Sequence, residues 1–218
     1  MSLPLAALAV AGGVAWALFG SGLLAVRYVV VTGTHLVPDS EVLAVAGVRP
    51  GTPLIRVNTA EVAARVLRIR QVQGVEVTKS WPDRVDIAVR ERTPALAVAV
   101  AGGGFDLIDA DGVIVRWAAT RPSRLPLYAA ADVASLQGDP DVAAAAAVLG
   151  ELPRSIRPSV VSVTAPSPDQ VTLQLASGVT IVWGAPDDAA AKARELTILM
   201  PTGARYYDVS APATAVTN

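Results

Sequence analysis

From Leu3 to Val26 the chain is apolar and carries no charged residue, and from there on the apolar positions break into short alternating or helical runs. At about 1.5 Å per residue, a helix over this first stretch is long enough to cross a hydrocarbon core of roughly 30 Å with some tilt. The pattern predicts a transmembrane helix. Trp16 and Phe19 add bulk, while Gly12, Gly13, Gly20 and Gly22 are residues that membrane helices tolerate better than soluble ones. A cleaved secretory signal is the competing expectation, with Ala15-Trp16-Ala17 as its cleavage site, but it lacks a basic start and the apolar run continues past that site. Arg27, just beyond the span, gives the positive-inside rule too little to fix an orientation. A basic tail upstream of Met1 is expected to be missing or very short.

Between Val26 and Arg92 the pattern changes period four times. Val26, Tyr28 and Val30 alternate with Arg27, Val29 and Val31 up to Gly33, which predicts a strand covered in part on both faces. Pro38, Asp39 and Glu41 suit the start of a helix whose apolar side is Val42, Leu43 and Ala46 and which Gly47 ends. After a Pro50-Gly51 turn, Leu54 to Val57 reads as a short extended piece. Asn58 and Glu61 have capping-box spacing ahead of a second helix through Val62, Val66 and Ile69. Its Arg65, Arg68 and Arg70 read as a solvated face rather than a partner patch. Two alternating strands follow, Val75 to Trp81 and Val85 to Glu91, joined at Pro82-Asp83. With one apolar face, the sheet is expected to cover the two helices on one side.

The remainder, Thr93 to Asn218, reads mainly as strands. Pro94 to Val100 is extended, Gly102-Gly103-Gly104 breaks it, and Phe105 to Asp109 with Val113 to Val115 form a hairpin about Asp109-Ala110-Asp111-Gly112. Asp139 and Pro140 open an alanine-rich helix ending at Leu152-Pro153. Val160 to Val163, Val171 to Leu175 and Val179 to Trp183 make a meander. A last helix from about Pro186 carries Asp187 and Asp188 in its first turn, Lys192 and Arg194 further along, and Leu196, Leu199 and Met200 as apolar positions. Tyr206 to Ser210 is the final strand. The fold class is thus α+β, with boundaries at 1–26 for the span, 27–93 for the first folded domain and 94–218 for the second.

Composition removes several functions. Eighteen Lys and Arg against 19 Asp and Glu leave a formal charge of -1, so there is no basic excess for nucleic-acid phosphates. Lysine occurs only at positions 79 and 192, and the arginine bias hints at a GC-rich bacterial genome. Cysteine is absent, which excludes disulfides and thiolate metal sites. His35 is the only histidine and falls in an expected turn, where an ordinary exposed residue outweighs a base or ligand. The glycine triplet does not open a helix, so it is not a phosphate cradle. Asp109 and Asp111 lack the further ligands of a calcium loop and read as turn residues rather than a glycan-cleaving pair. No cofactor and no metal are expected, and the chain reads as a binding protein rather than an enzyme.

The order strand, helix, helix, strand, strand directly after a span resembles a POTRA domain. Val30-Val31-Thr32-Gly33, the run Ala46 to Leu54 and above all Val77-Thr78-Lys79-Ser80-Trp81-Pro82 through Glu91-Arg92-Thr93-Pro94 resemble the FtsQ/DivIB family of bacterial cell-division proteins. In the second domain the matching pieces are Leu107 to Val113, Leu125-Pro126-Leu127, Ser177-Gly178 with Trp183-Gly184, Lys192 with Leu196 and Leu199, and Tyr207-Asp208-Val209-Ser210. The resemblance implies a POTRA domain followed by a mainly antiparallel β domain with flanking helices. It implies a bitopic protein of the cytoplasmic membrane at the division septum, with both domains outside.

It further implies a scaffold that links early cytoplasmic division proteins to septal peptidoglycan synthesis. Its partners would be FtsB/FtsL-type coiled-coil proteins, with FtsW- or FtsI-type membrane proteins as further contacts. The receiving segment would be the sheet edge Tyr207, Asp208, Val209, Ser210, Ala211, Pro212 and Ala213, where backbone pairing supplies the affinity. Other members carry basic and aromatic side chains there, whereas this chain has Ser210-Ala211-Pro212. The alternatives are a membrane-anchored wall glycan-binding protein or hydrolase, and a POTRA protein of outer-membrane assembly or secretion, for which the chain has no room for a barrel.

Overall fold

The computed structural model describes residues 12–13, 24–129, 136–211 and 216–217, so most of the expected span, together with Pro212 and Ala213, lies outside the described residues. Among the described residues no helix is long and apolar enough to cross a membrane. The chain divides into two compact units at Arg92 and Thr93.

The first unit has the order β1 (Tyr28–Thr32), α1 (Asp39–Ala46), a 3-10 turn (Leu54–Arg56), α2 (Thr59–Val66), β2 (Val72–Ser80) and β3 (Arg84–Glu91). In the sheet β3 is central, parallel to β1 and antiparallel to β2. Because side chains alternate along a strand, Val85, Ile87 and Val89 of β3 all point to one face, where they bury against Val42 and Ala46 of α1 and Val62 and Val66 of α2. Helix α1 stops at Gly47, whose φ of 62° is a left-handed turn and whose N–H donates to the Leu43 carbonyl at 3.2 Å.

The Asn58 carboxamide oxygen accepts from the N–H groups of Ala60 and Glu61 at 3.1 and 3.3 Å, and its nitrogen donates to the Glu61 carboxylate at 2.9 Å. The capping box is therefore present, with the return bond made to the cap's side chain rather than its backbone.

Three local expectations change. Leu54 to Val57 is not extended: Arg56 and Val57 donate back to Pro53 and Leu54, forming a 3-10 turn that buries Leu54. The two helices cover only one face of the sheet, so Tyr28 and Val30 of β1 face solvent on the other and only Val29 and Val31 are partly covered. Trp81 belongs to the β2–β3 turn, preceding a cis peptide bond to Pro82, and is exposed.

The second unit contains β4 (Leu96–Ala99), β5 (Phe105–Ile108), β6 (Ile114–Ala118), β7 (Leu127–Tyr128), α3 (Pro140–Glu151), β8 (Val160–Thr164), β9 (Val171–Leu175), β10 (Thr180–Gly184), α4 (Ala189–Leu199), β11 (Tyr206–Asp208) and β12 (Val216–Thr217). They form one sheet in the order β12-β11-β10-β9-β8-β7-β4-β5-β6. Pairing is antiparallel except at β4–β7, β7–β8 and β10–β11, which are parallel. Asp139 caps α3 by accepting the Asp141 N–H at 2.8 Å, with Pro140 in the first turn. The buried face of α3, Val142, Ala145 and Val148, joins Leu173 of β9, Ile181 and Trp183 of β10, and Leu196 of α4 in a single core.

Here too the structure revises the pattern. Helix α4 begins at Ala189, three residues later than expected, because Asp188 adopts a left-handed φ of 49° and Asp187 is drawn to Lys192 instead of the helix end. The meander holds for β8, β9 and β10, but β11 returns parallel to β10 after crossing through α4.

Candidate partner-binding site

Tyr206 to Ala211 runs beside β10, and its position follows from the helix before it. Lys192 of α4 is buried, and its ammonium donates to the Ala185 carbonyl at 2.8 Å and to an Asp187 carboxylate oxygen at 3.0 Å. A buried charge is tolerated when paired and hydrogen-bonded in this way. The bonds tie α4 to the loop leaving β10.

The chain then crosses back and pairs in register, Thr180 with Tyr206, Ile181 with Tyr207 and Val182 with Asp208. Thr180 N–H donates to the Arg205 carbonyl and Val209 N–H to the Val182 carbonyl, both at 2.9 Å, so pairing extends past each end of β11.

Side chains alternate across this segment. Tyr207 and Val209 are buried, and the Tyr207 hydroxyl donates to the Met200 carbonyl at 3.1 Å. Tyr206 and Ser210 are exposed, and Asp208 is half-buried. The Asp208 carboxylate accepts from the Ser210 N–H at 3.0 Å and its hydroxyl at 2.7 Å, forming a turn that leads the chain out of the strand. Ser210 packs where a Cβ on Gly184 would sit: that Cβ would lie 2.8 Å from the Ser210 Cβ, and Gly184 also has a φ of 75°. Ala211 is exposed.

Strand β12 lies antiparallel on the far side of β11, Thr217 opposite Tyr207 and Val216 opposite Asp208. Strand β11 thus has neighbours on both sides, and among the described residues the outermost strand at this end is β12. The sequence pattern offered no signal for β12: two residues are too short for an alternation. The other end of the sheet is β6, which carries an exposed Trp117.

The residues considered for chemistry do not assemble. The backbone N–H groups of His35, Leu36 and Val37 donate to the Glu91 carboxylate at 2.9 Å. Burial pushes the Glu91 pKa up, but the three backbone donors and the nearby His35 outweigh it and hold the carboxyl below its ordinary value. Asp109 is buried and accepts the N–H groups of Asp111 and Val113 at 3.0 and 2.9 Å, which makes it a brace of the β5–β6 turn. Burial, together with the negative charges of Asp139 and Asp141, pushes the Tyr128 hydroxyl up to about 12. Arg65 donates to the Ala46 carbonyl at 3.1 and 2.6 Å and is half-buried, while Arg68 and Arg70 are exposed. Among the described residues no group of His, Asp and Glu side chains could hold a metal ion.

A three-stranded sheet with two helices on one face, followed by a long sheet domain closed by a C-terminal strand pair, defines a POTRA-plus-β-domain protein. Residues 24–92 match the model of the FtsQ-type POTRA domain, and residues 97–210 match that of the cell division protein FtsQ/DivIB C-terminal domain. Similar proteins include cell division protein FtsQ of Streptomyces collinus, 37% identical over 93% of this chain and 81% of that protein. Those of Streptomyces venezuelae (38%, over 94% of this chain and 78% of that protein) and Mycobacteroides abscessus (37%, over 93% and 64%) are alike. The chain belongs to the FtsQ/DivIB family of bacterial cell-division proteins. Its relatives come from high-GC genera, in keeping with its arginine bias.

Proposed function

We propose that this chain is a non-enzymatic, bitopic scaffold of the divisome. The apolar segment that begins at Leu3 anchors it in the cytoplasmic membrane and ends before Ala25 and Val26, which belong to the first unit through the Ala25–Pro53 bridge and the burial of Val26 in its core. The two units stand outside at the septum. There it holds FtsB/FtsL-type coiled-coil partners, contacts FtsW- or FtsI-type membrane proteins, and so couples early cytoplasmic division proteins to septal peptidoglycan synthesis. The observation that carries this reading is the strand ladder β10, β11, β12 at one end of the second unit's sheet, in a chain of this family.

An extended partner segment adds to such an end through main-chain hydrogen bonds, which tolerate the Ser210-Ala211-Pro212 sequence. Tyr207, Asp208 and Val209 lie in or beside the inner strand, and Ser210 and Ala211 lead out of it. With Pro212 and Ala213, which lie outside the described residues, they make up the proposed receiving segment, and the incoming strand pairs on the outer side of β12. The full chain used as bait in a solubilised membrane extract of its own bacterium should retain small coiled-coil division proteins, identified by mass spectrometry. A chain that ends at Ala211 should lose them. Equal retention by both chains would refute the location of the site.

A further inference from the structure

The first unit presents one end to the side from which the chain arrives. Val26 N–H donates to the Thr52 carbonyl at 2.8 Å, Gly51 N–H donates to the Val26 carbonyl at 2.9 Å, and Ala25 bridges to Pro53. Arg27 and Tyr28 N–H groups donate to the Asp83 carbonyl at 2.8 and 3.2 Å, which brings the β2–β3 turn to the same end. Lys79 reaches the Ile55 carbonyl at 3.2 Å, which brings the 3-10 turn there as well. Three large apolar or aromatic side chains are exposed at this end: Tyr28 at 61%, Trp81 at 53% and Ile55 at 37%. Packing within the unit accounts for none of these exposures.

Basic side chains share this end: Arg27 precedes Tyr28, Arg84 lies opposite it in the sheet, Lys79 bonds the Ile55 carbonyl, and Arg56 follows Ile55. Arg49, Arg56 and Arg65 line one cleft of about 200 Å³ together with Thr52, Asn58 and the Glu61 carboxylate, which lies against Arg65. The acidic side chains at this end are Asp83, Asp86 and Glu61, and each lies against an arginine: Asp83 at 4.0 Å from Arg27, Asp86 at 3.0 Å from Arg84, and Glu61 at 4.0 Å from Arg65. The end is therefore net positive on a chain whose total formal charge is -1.

Amphipathic aromatic rings beside basic side chains are the composition of a surface that sits at lipid headgroup depth. We infer that this end of the first unit docks on the outer face of the membrane, Trp81 and Ile55 entering the interface and the cleft of Arg49, Arg56 and Arg65 taking the phosphate of an anionic phospholipid headgroup. The inference rests on the reading of the apolar segment that begins at Leu3 as a membrane anchor, because only then does Ala25 emerge at a bilayer. Docking makes the first unit a seated base rather than a body swinging on its anchor.

The absence of native cysteine makes single-site labelling clean. A fluorophore is placed by Ile55→Cys, and in a second protein by Leu36→Cys, at the far end of β1 and also exposed. The full chain is inserted into nanodiscs of phosphatidylcholine alone or mixed with phosphatidylglycerol, each containing a headgroup-depth spin-labelled lipid as quencher. The expected result is quenching at position 55 well above that at position 36 in the anionic discs. Adding Arg49→Glu and Arg56→Glu should reduce it sharply, since one basic residue at an anionic surface is worth about fivefold in partitioning. Trp81→Ala should reduce quenching in both disc types. Retention of the protein in the discs with equal quenching at the two positions overturns the docking and leaves the anchor standing. Failure to enter the discs overturns the anchor and the docking with it.

Discussion

Glu91 closes the loop between β1 and α1 by accepting three backbone N–H groups, and its pKa is held below the ordinary 4.5 as a result. A carboxylate with a depressed folded value contributes stability above the unfolded value, and that contribution is lost as pH falls through the folded one. Acidification from pH 4.5 downward should therefore weaken the first unit, and Glu91→Gln should flatten that part of the urea midpoint against pH. At neutral pH the same variant keeps one acceptor oxygen but loses the charge, and should cost about 1 kcal/mol, the size of one net hydrogen bond. Lys192 makes a second residue-scale case. Lys192→Ala removes the donor that satisfies the Ala185 carbonyl and empties a buried position, so urea unfolding should show a loss of about 2–4 kcal/mol. Lys192→Met keeps most of the stem's packing and should lose less. The caps at Asn58 and Asp139 were legible in the sequence because each depends on neighbours within three residues. The burial of Lys192 was not, because its main partner is a carbonyl, and carbonyls leave no trace in residue type.

The elements follow the same division between local and distant causes. Strands β3, β9 and β10 could be read from alternation, because one face of each is buried, and β2 from its alternating Val75 and Val77, which pack partly against the first core. The two-residue strands β7 and β12 exist only through the neighbours that pair with them. The same holds for the candidate site: Tyr207 to Ser210 was visible as a strand, but the strand outside it was not. Gly184 connects the two levels. Its positive φ and its contact with Ser210 leave no room for a side chain. Gly184→Ala should cost about 1–3 kcal/mol in thermal or urea unfolding and shift the segment leading to β12. Val209→Pro is the wrong instrument for testing partner pairing, since the Val209 N–H is already bonded to Val182 inside the sheet and its loss should destabilise the second unit. Removal of residues 212–218 leaves that bond and β11 in place, and circular dichroism of the shortened chain should show the second unit still folded.

At the scale of the molecule, two cores lie on either side of Arg92 and Thr93, each closed by its own helices. The first is a small sheet with a basic, aromatic end where the chain enters; the second is a long sheet whose C-terminal end is built from β10, β11 and β12. The α+β class, the strand and helix order of the first unit and the family resemblance could all be read from the sequence, since they depend on periodicity and on short motifs such as Trp81-Pro82-Asp83. The parallel return of β11 could not, because it depends on where α4 sets the chain down. The proposed scaffold role places the partner on the C-terminal strand pair rather than on another surface. The most direct measurement is the affinity of the purified full chain for its own bacterium's FtsB/FtsL-type complex, compared with that of the chain ending at Ala211. The expected result is a loss of at least about tenfold, or 1.4 kcal/mol, on removing the terminal segment. Unchanged affinity in a shortened chain that remains folded would contradict strand pairing at this edge.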